Sequence, residues 1–422
     1  MYCGNCLRDN AMVADWSRLG HDVCMVPLYL PLTLDEPDQS ADVPVFFGGI
    51  NVFMSHKIPR IWQFVPEKVR RWLDSRSFLK SIGRRVSKTN PAEVGSLTVS
   101  MLKGATGSQR RELLELADWL KEHKPDVLSF SNALILGMHQ HLRSVTGAKT
   151  LCFLSGEDTF LDELPEPHKT QAWRLVREHV SEIDVLIAPS RYYAALMSER
   201  LNLPQERIHV VHSGINTDGF AKQNKDKQRK EDQPESNTAL VLGYFARMSE
   251  TKGLAVLVDA FIEIRQRGTV PNLQLKIGGN LNPWNKDLLE RLQNKLAMAG
   301  LSQDVRFYPN VSREAKIQFL QSLDIFSVPS VGDEPFGFYA VEALVAGVPV
   351  VLPAKSSFPE LIEMSGGGVL YPPDDFLALV EVLETLCADK SRRQYLGKSG
   401  RNHAWEYFSI RRASNEVLEL IR

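Results

Sequence analysis

The sequence predicts two α/β domains, each built on a doubly wound parallel sheet. Three observations predict this fold class. The 422 residues exceed one ordinary hydrophobic core and suit two domains of roughly 200 residues each. Short apolar runs alternate with amphipathic helical stretches along most of the chain. One strongly polar stretch, residues 221–237, divides the alternation into two series and predicts a linker between the domains.

The first series, residues 1–220, predicts an N-terminal Rossmann-like domain. Its apolar runs are nearly continuous, as expected of strands that are buried on both faces of a parallel sheet. Residues 42–107 are less regular and predict a packed helical insertion, with an acceptor-facing or membrane-touching surface as the alternative. The predicted strands of this series are Val23–Leu30, Asp126–Ser131, Thr150–Leu154, Asp184–Ala188 and Ile208–Val211.

The second series, residues 238–402, predicts a C-terminal domain of the same class. Residues 403–422 predict a further, C-terminal helix. Ligands of open α/β sheets bind beyond the carboxyl ends of the strands, so the expected site faces the cleft between the two domains. The predicted strands are Ala239–Phe245, Leu273–Ile277, Val305–Tyr308, Ile325–Val328, Val348–Leu352 and Gly368–Tyr371.

The charge balance and the cysteine content argue against several functional classes. Lys plus Arg number 50 and Asp plus Glu 51, so binding of nucleic acid through net positive charge is not expected. No stretch approaches about 18 uninterrupted apolar residues, which argues against a transmembrane helix. The five cysteines are sparse and suit reduced thiols in a cytosolic setting. The Cys3–Cys6 pair has no further ligands nearby, so we expect neither a metal nor a cofactor.

The stretch from Asp333 to Pro353 carries the most informative pattern. It predicts a turn at Gly337 and then an apolar helix, whose first backbone N–H groups favour a negative or polar ligand group. Glu342 is the one carboxylate in that helix. It either lies on a solvent-exposed stripe or binds the paired hydroxyls of a ribose, since a carboxylate accepts two hydrogen bonds. Glu334, on the preceding loop, can reach the same site.

A second informative pattern is the loop that follows the first strand of the second series. Arg247 and Lys252 stand five positions apart where this loop enters a helix. Both cations can converge on one diphosphate beyond the strand end, with the helix start behind them. The alternative is two ordinary surface cations.

These motifs, in this order and at these spacings, resemble the family 4 retaining glycosyltransferases (glycosyl transferases group 1), which have the GT-B fold of two Rossmann-like domains. Arg247-x4-Lys252 resembles the family's phosphate-binding basic pair, and the stretch from Glu334 to Glu342 resembles its E-x7-E motif. The resemblance is strongest over residues 180–415. It implies that residues 238–402 form the nucleotide-sugar-binding domain and that the helix predicted over residues 403–422 crosses back to the first domain. Other stretches that match the family are Leu19–Val23, Val210–Asp218, Ile277–Gly279, Pro359–Leu361 and Gly366–Gly368.

The resemblance implies a metal-independent hexosyltransferase that moves a sugar from a nucleotide-diphosphate sugar to an acceptor with retention of configuration. It implies that Arg247 and Lys252 neutralise the leaving diphosphate and, with Glu334, form the catalytic group. It also implies that Glu342 holds the ribose. The other donor-binding positions that it implies are Asn310 and Val311 at the base, and Phe336, Gly337 and Phe338 at the sugar and phosphates.

The first domain departs from the family pattern in two respects. The chain starts at Met1, already inside the position of the family's glycine-rich loop. We therefore expect a shortened chain, a first sheet without its first strand, and low activity. The two candidate loops after first-domain strands, residues 131–133 and 155–158, also lack the His that many relatives carry close to the transferred sugar. The acceptor-side candidates are Gly4, Asn132, Glu157 and Asp158, although capping of the next helix explains the last two equally well.

The expected partners are a nucleotide-sugar donor and a sugar, lipid-linked or small-molecule acceptor, with no nucleic acid. We expect a cytoplasmic protein, with attachment to the inner face of the membrane as the alternative. Two other functions stay open at this point. A nucleotide-sugar epimerase of the same fold would need carboxylate and His groups in the cleft, and a non-catalytic nucleotide-sugar-binding subunit would bind the donor without transfer.

Overall fold

The structure is a computed structural model, and it describes residues 4–28, 36–41, 43–47, 51–52, 54, 64–66, 69, 73, 91–221 and 239–422. The chain divides into two compact units. The first unit is Cys3–Val211 together with Ser414–Arg422, and the second is His212–Ala413. Nearly all of the predicted linker and most of the predicted insertion lie outside the described residues. The proposed domain boundaries therefore stay predictions.

The first unit contains a four-stranded parallel sheet with the order β1-β2-β3-β4. Each strand follows a helical segment, which is the alternation that the sequence predicts for a parallel sheet. The strands are β1 (Val127–Phe130), β2 (Lys149–Phe153), β3 (Val185–Ala188) and β4 (Ile208–Val210). The helices are α1 (Gly4–Arg18), α2 (Pro91–Leu102), α3 (Arg110–His123), α4 (His139–Thr146), α5 (Glu157–Asp162), α6 (His168–Val180) and α7 (Arg191–Leu201).

One strand predicted in this unit does not form where the sequence suggests it. Within Val23–Leu30, residues 23–27 belong to no strand, and Leu28 makes only an isolated bridge to Phe46. The prediction was wrong there because Pro27 interrupts the apolar run. Proline has no N–H to donate to a ladder, and here its carbonyl accepts a single hydrogen bond from Phe46 N at 3.1 Å.

The second unit contains a six-stranded parallel sheet with the order β10-β9-β8-β5-β6-β7. Two parallel-sheet α/β units are the predicted fold class, which is confirmed. The strands are β5 (Val241–Phe245), β6 (Gln274–Gly279), β7 (Val305–Pro309), β8 (Ile325–Ser327), β9 (Val350–Pro353) and β10 (Gly368–Tyr371). The helices are α8 (Leu254–Arg267), α9 (Lys286–Met298), α10 (Arg313–Gln321), α11 (Phe338–Val345), α12 (Phe358–Ser365), α13 (Phe376–Ala388) and α14 (Lys390–Tyr407).

Helix α8 illustrates how the core of the second unit is built. Leu254, Leu257, Val258 and Phe261 recur at helical spacing, and all four side chains are fully buried. Burial of each contributes roughly 1.5–3 kcal/mol. The helix ends where Gly268 adopts a φ of +71°, a left-handed conformation that glycine takes without steric cost.

The last helix, α15 (Ile410–Ile421), begins in the second unit and ends in the first. Within the first unit, the Trp16 indole N–H donates to the Ser414 carbonyl at 3.1 Å, and Lys149 Nζ donates to the Leu420 carbonyl at 3.3 Å. Residue 403, where the sequence predicts the crossing helix to start, lies inside α14 instead. None of the helices in the described ranges has the length and apolar character needed to cross a membrane.

Candidate functional site

The carboxyl edge of the six-stranded sheet is the candidate site. From β5 the chain proceeds to β6 and β7 on one side, whereas β8, β9 and β10 extend the sheet on the other side. Strand order therefore reverses between β5 and β8, and loops diverge at such a reversal to leave room for a ligand. The loop after β5 carries Arg247 and Lys252, and the loop after β8 carries Glu334.

These two loops are joined by backbone contacts. Thr251 O accepts hydrogen bonds from Val331 N at 3.0 Å and Gly332 N at 3.1 Å. Gly253, at the start of α8, has a φ of +67°, and a Cβ there would lie 1.8 Å from the Pro329 carbonyl oxygen. Only glycine fits this close approach, which holds Lys252 beside the loop after β8.

Lys252 and Glu334 form an ion pair at this edge. The exposed fractions of the two side chains are 18% and 8%, and Ser330 Oγ lies 3.2 Å from the same carboxylate oxygen. A carboxylate this deeply buried is costly without a charged partner. The ammonium group has three N–H donors, so pairing with Glu334 leaves donors for a second anionic oxygen.

Two tyrosines surround the pair. The Tyr339 ring centre lies 5.5 Å from Lys252 Nζ, and its hydroxyl lies beside Glu334 and Ser330 without an aligned hydrogen bond. The Tyr244 hydroxyl donates to the Arg247 carbonyl at 2.8 Å. Burial, and then the Glu334 charge, raise the pKa of both hydroxyls well above the usual value. Both tyrosines therefore stay neutral, and the charge here comes from Lys252, Glu334 and Arg247.

Arg247 is exposed, in contrast to Lys252. Across the described ranges, its guanidinium group makes neither a hydrogen bond nor an ion pair, and only its carbonyl is engaged, by Tyr244. A guanidinium that is always charged and has no protein partner can receive a bidentate anion such as a phosphate.

The start of α11 lies after Glu334 on the same segment. Gly337 has a φ of +85°, and a Cβ there would lie 2.9 Å from the Phe358 ring. Phe336 is buried, with its ring centre 5.1 Å from that of Phe338 and 5.7 Å from that of Phe408. Packing of Phe336 and the tight turn at Gly337 fix the direction in which the helix begins.

Glu342 lies in the middle of α11 and is neither freely solvated nor unpaired. Its side chain is 16% exposed, and Oε1 lies 2.7 Å from the Nζ of Lys316 on α10. In the part of the chain that the structure describes, Glu342 makes no hydrogen bond or ion pair with Lys252, Glu334 or Arg247.

The predicted base-contacting positions, Asn310 and Val311, follow β7 at the same edge of the sheet. Asn310 is exposed and has a φ of +53°. Its Oδ1 accepts from Leu281 N at 3.1 Å, which ties the loop after β7 to the loop after β6. A further link joins the loops after β6 and β5, since Asn285 Nδ2 donates to the Met248 carbonyl at 2.8 Å.

The acceptor-side candidates of the first unit lie at the starts of helices or make hydrogen bonds that hold neighbouring loops in place. Gly4 is the first residue of α1, and Asn132 Oδ1 caps a short helix by accepting from Leu134 N at 3.0 Å. Glu157 is 2% exposed and accepts from Ala133 N at 2.8 Å and Ser155 N at 2.6 Å. Burial raises its pKa, and these hydrogen bonds oppose the rise. Asp158 accepts from the Tyr193 hydroxyl at 2.7 Å.

Sequence reasoning missed two buried cations that organise these regions. Arg8 is 3% exposed, and its guanidinium donates to Ser155 Oγ at 2.9 Å and to the Ser131 carbonyl at 3.0 Å. Lys316 is the second such cation. The signal for both is a cation at i with apolar residues at i+3 and i+4 of the same helix, such as Ala11 and Met12 after Arg8. Among the described residues, no cluster of three or more His, Cys, Asp or Glu could hold a metal ion.

Both halves of the chain match known protein families. Residues 224–403 match the family described as Glycosyl transferases group 1, and residues 84–218 match Glycosyltransferase Family 4. The chain belongs to glycosyltransferase family 4. The predicted resemblance to this family is thereby confirmed, and the roles of Arg247, Lys252, Glu334 and Glu342 stay predictions.

Relatives of this family 4 member include two D-inositol 3-phosphate glycosyltransferases. The protein from Corynebacterium aurimucosum is 27% identical over 266 residues, which cover 62% of this chain and 61% of that protein. The protein from Salinispora tropica is 26% identical over 284 residues, which cover 65% of this chain and 57% of that protein. The chain therefore spans less than two thirds of the length of these relatives.

A solved structure with a similar fold is that of Anabaena HepE in complex with UDP-glucose. It has a TM-score of 0.62 to this chain and 17% sequence identity, and covers 94% of this chain and 99% of HepE. At this level of identity the similarity concerns the fold, and it agrees with the two Rossmann-like sheets of the GT-B class.

Proposed function

We propose that this chain is a retaining glycosyltransferase that moves a sugar from a nucleotide-diphosphate sugar to an acceptor hydroxyl without a metal ion. The observation that supports this function is the ion pair of Lys252 with Glu334 at the reversal point of the sheet. Arg247, on the same loop as Lys252, has a guanidinium group that pairs with none of the residues that the structure describes. Family membership and the complex of HepE with UDP-glucose are consistent with such a donor.

Electrostatics is the physical basis of the proposal. In the reaction, the acceptor oxygen bonds to the anomeric carbon while the bond from that carbon to the diphosphate oxygen breaks. The acceptor proton passes to the departing diphosphate, and attack from the same face gives retention. Negative charge develops on the diphosphate, and fixed cations that need no reorganisation stabilise it most where water is excluded. Arg247 and Lys252 supply that charge, so a metal ion is not required.

Glu334 has two roles in this proposal. In the free protein its charge balances that of Lys252, which permits both groups to be buried. When the diphosphate binds, the ammonium can bridge the carboxylate and a phosphate oxygen because it has more than one donor. Glu334 can then accept a hydrogen bond from a sugar hydroxyl through its second oxygen.

The test is a donor panel of UDP-, GDP- and ADP-sugars with acceptors that include D-inositol 3-phosphate, analysed by mass spectrometry and by the anomeric configuration of the product. We expect a glycosylated product with the donor's configuration, formed equally well with EDTA. Free epimerised donor would indicate the epimerase, and nucleotide binding without turnover would indicate the binding subunit. An inverted product would exclude retention.

The variant Arg247→Met tests the phosphate site. Loss of one charge donor to a developing oxyanion costs about 10²–10³ in kcat, and we expect a loss of this size with unchanged thermal stability. The matched control is Arg291→Met, which removes an exposed arginine paired with Glu250 and should leave kcat unaffected. Equal activity of the two variants would exclude Arg247 from the transfer step.

A further inference from the structure

Lys316 is a buried amine in an otherwise apolar position. It is 6% exposed and stands on α10 three and four residues before the buried Phe319 and Leu320, so it lies on the face that the helix turns toward the core. Desolvation of an ammonium is costly, and such a group persists where a carboxylate compensates for its burial.

The compensating carboxylate is Glu342. Lys316 Nζ lies 2.7 Å from Glu342 Oε1, and the exposed fractions of the two side chains are 7% and 16%. The two residues stand on different helices, α10 after β7 and α11 after β8. The ion pair therefore fixes the position of Glu342 relative to the loop of Asn310, where the family places the nucleotide base.

The described residues engage only one oxygen of Glu342. No described residue donates to Oε2, whereas Oε1 accepts from Lys316. A carboxylate anchored through one oxygen presents the other in a single orientation, and this cuts the entropic cost of hydrogen bonding to a ligand.

We infer that Lys316 is a positioning residue for the nucleoside: it holds the Glu342 side chain in one rotamer, so that the second carboxylate oxygen receives a ribose hydroxyl. The inference rests on the proposed function, since it assumes a nucleotide donor. Lys316 itself touches neither the sugar nor the diphosphate in this arrangement. Its loss therefore weakens recognition of the ribose and leaves the chemistry at the anomeric carbon intact.

The test measures discrimination between ribose and deoxyribose. UDP, GDP and ADP are titrated calorimetrically into wild-type protein, and the best binder is compared with its 2′-deoxy and 3′-deoxy forms. A hydrogen bond to a charged group accounts for about a tenfold to hundredfold preference for the ribose form. We expect the wild type to show such a preference. We expect Lys316→Met to reduce the preference to less than about threefold, because an exposed carboxylate that is not held in one orientation contributes little binding free energy.

The remaining variants separate positioning from general damage. Lys316→Arg keeps a donor to Glu342 and should restore most of the preference. Lys295→Met removes the partner of Asp259 on neighbouring helices and should leave the preference unchanged. In steady-state kinetics, Lys316→Met should raise the donor KM and leave kcat within about twofold, because the lost contact is equal in ground and transition states.

Two outcomes would contradict the inference or the function on which it rests. Wild-type protein that binds none of the three nucleotides would overturn the proposed donor class. Wild-type protein that prefers ribose, together with Lys316→Met that prefers it equally, would overturn the role of Lys316 and leave the donor class intact. If Lys316→Met does not fold, Lys316→Ala, which also removes the donor to Glu342, is measured instead, and an undiminished preference there has the same meaning.

Discussion

Substitution of Gly253 by alanine should damage both stability and donor binding, and Gly268→Ala provides a matched control. Both glycines flank α8, and their φ values are +67° and +71°. A Cβ at Gly268 meets nothing within 4 Å, whereas a Cβ at Gly253 would lie 1.8 Å from the Pro329 carbonyl oxygen. The two variants therefore share the cost of a left-handed alanine, about 1–2 kcal/mol, and differ only in the collision.

The collision can be relieved only by moving backbone, since Pro329 O belongs to the chain leading into the loop after β8. Overpacking of this kind costs about 1–3 kcal/mol more. We expect Gly268→Ala to lower the free energy of unfolding by about 1–2 kcal/mol and Gly253→Ala by about 2–5 kcal/mol. Because the moving backbone separates Lys252 from Glu334, Gly253→Ala alone should also weaken nucleotide binding.

Urea denaturation followed by tryptophan fluorescence gives the two free energies, and calorimetric titration gives nucleotide affinity. The comparison depends only on differences between the two variants, so uncertainty in the extrapolation to water largely cancels. Equal destabilisation by the two substitutions, or unchanged nucleotide affinity in Gly253→Ala, would show that the loops after β5 and β8 do not need their close approach.

Two further predictions concern the first unit. His179 is buried, its Nε2 donates to the Leu102 carbonyl at 2.6 Å, and burial lowers its pKa. The contribution of neutral His179 to stability is therefore lost as the pH falls below about 6.5, the pKa of histidine in the unfolded chain. Denaturation curves between pH 7.5 and 5.5 should show that His179→Gln loses less stability over this range than the wild type. Glu157→Gln should cost about 1–3 kcal/mol by calorimetry, because its amide nitrogen would face the N–H of Ala133 or Ser155; stability equal to wild type would show that these bonds are dispensable.

The strands of both sheets could be predicted from sequence because parallel strands are apolar on both faces. Each of the ten strands in the described ranges begins and ends within two residues of the bounds of a predicted strand. Glycines stand at both ends of α8, and a glycine just after the last residue of a helix is a sequence signal for its end. The exception, Val23–Leu30, shows the limit of this reasoning, since hydropathy alone does not register a missing backbone donor at Pro27.

The residues of the candidate site were predictable only as separate motifs. Lys252 and Glu334 are 82 positions apart, and their pairing depends on the order of strands β5 and β8, which local patterns do not encode. The sequence offered two interpretations of Glu342, as a solvated residue or a ribose ligand, and neither included a buried lysine partner. Motif reasoning missed Lys316 because a lysine in an amphipathic helix is usually solvated.

The discontinuous make-up of the first unit has a consequence for biosynthesis. Its sheet and helices come from the early part of the polypeptide, yet Ser414 and Leu420 accept hydrogen bonds from Trp16 and Lys149. During translation, domains generally fold as units in the order in which they emerge. The first unit cannot form its Trp16 and Lys149 contacts until the entire second unit has been synthesised. The surface of the first unit that α15 covers in the finished protein is therefore exposed in the nascent chain.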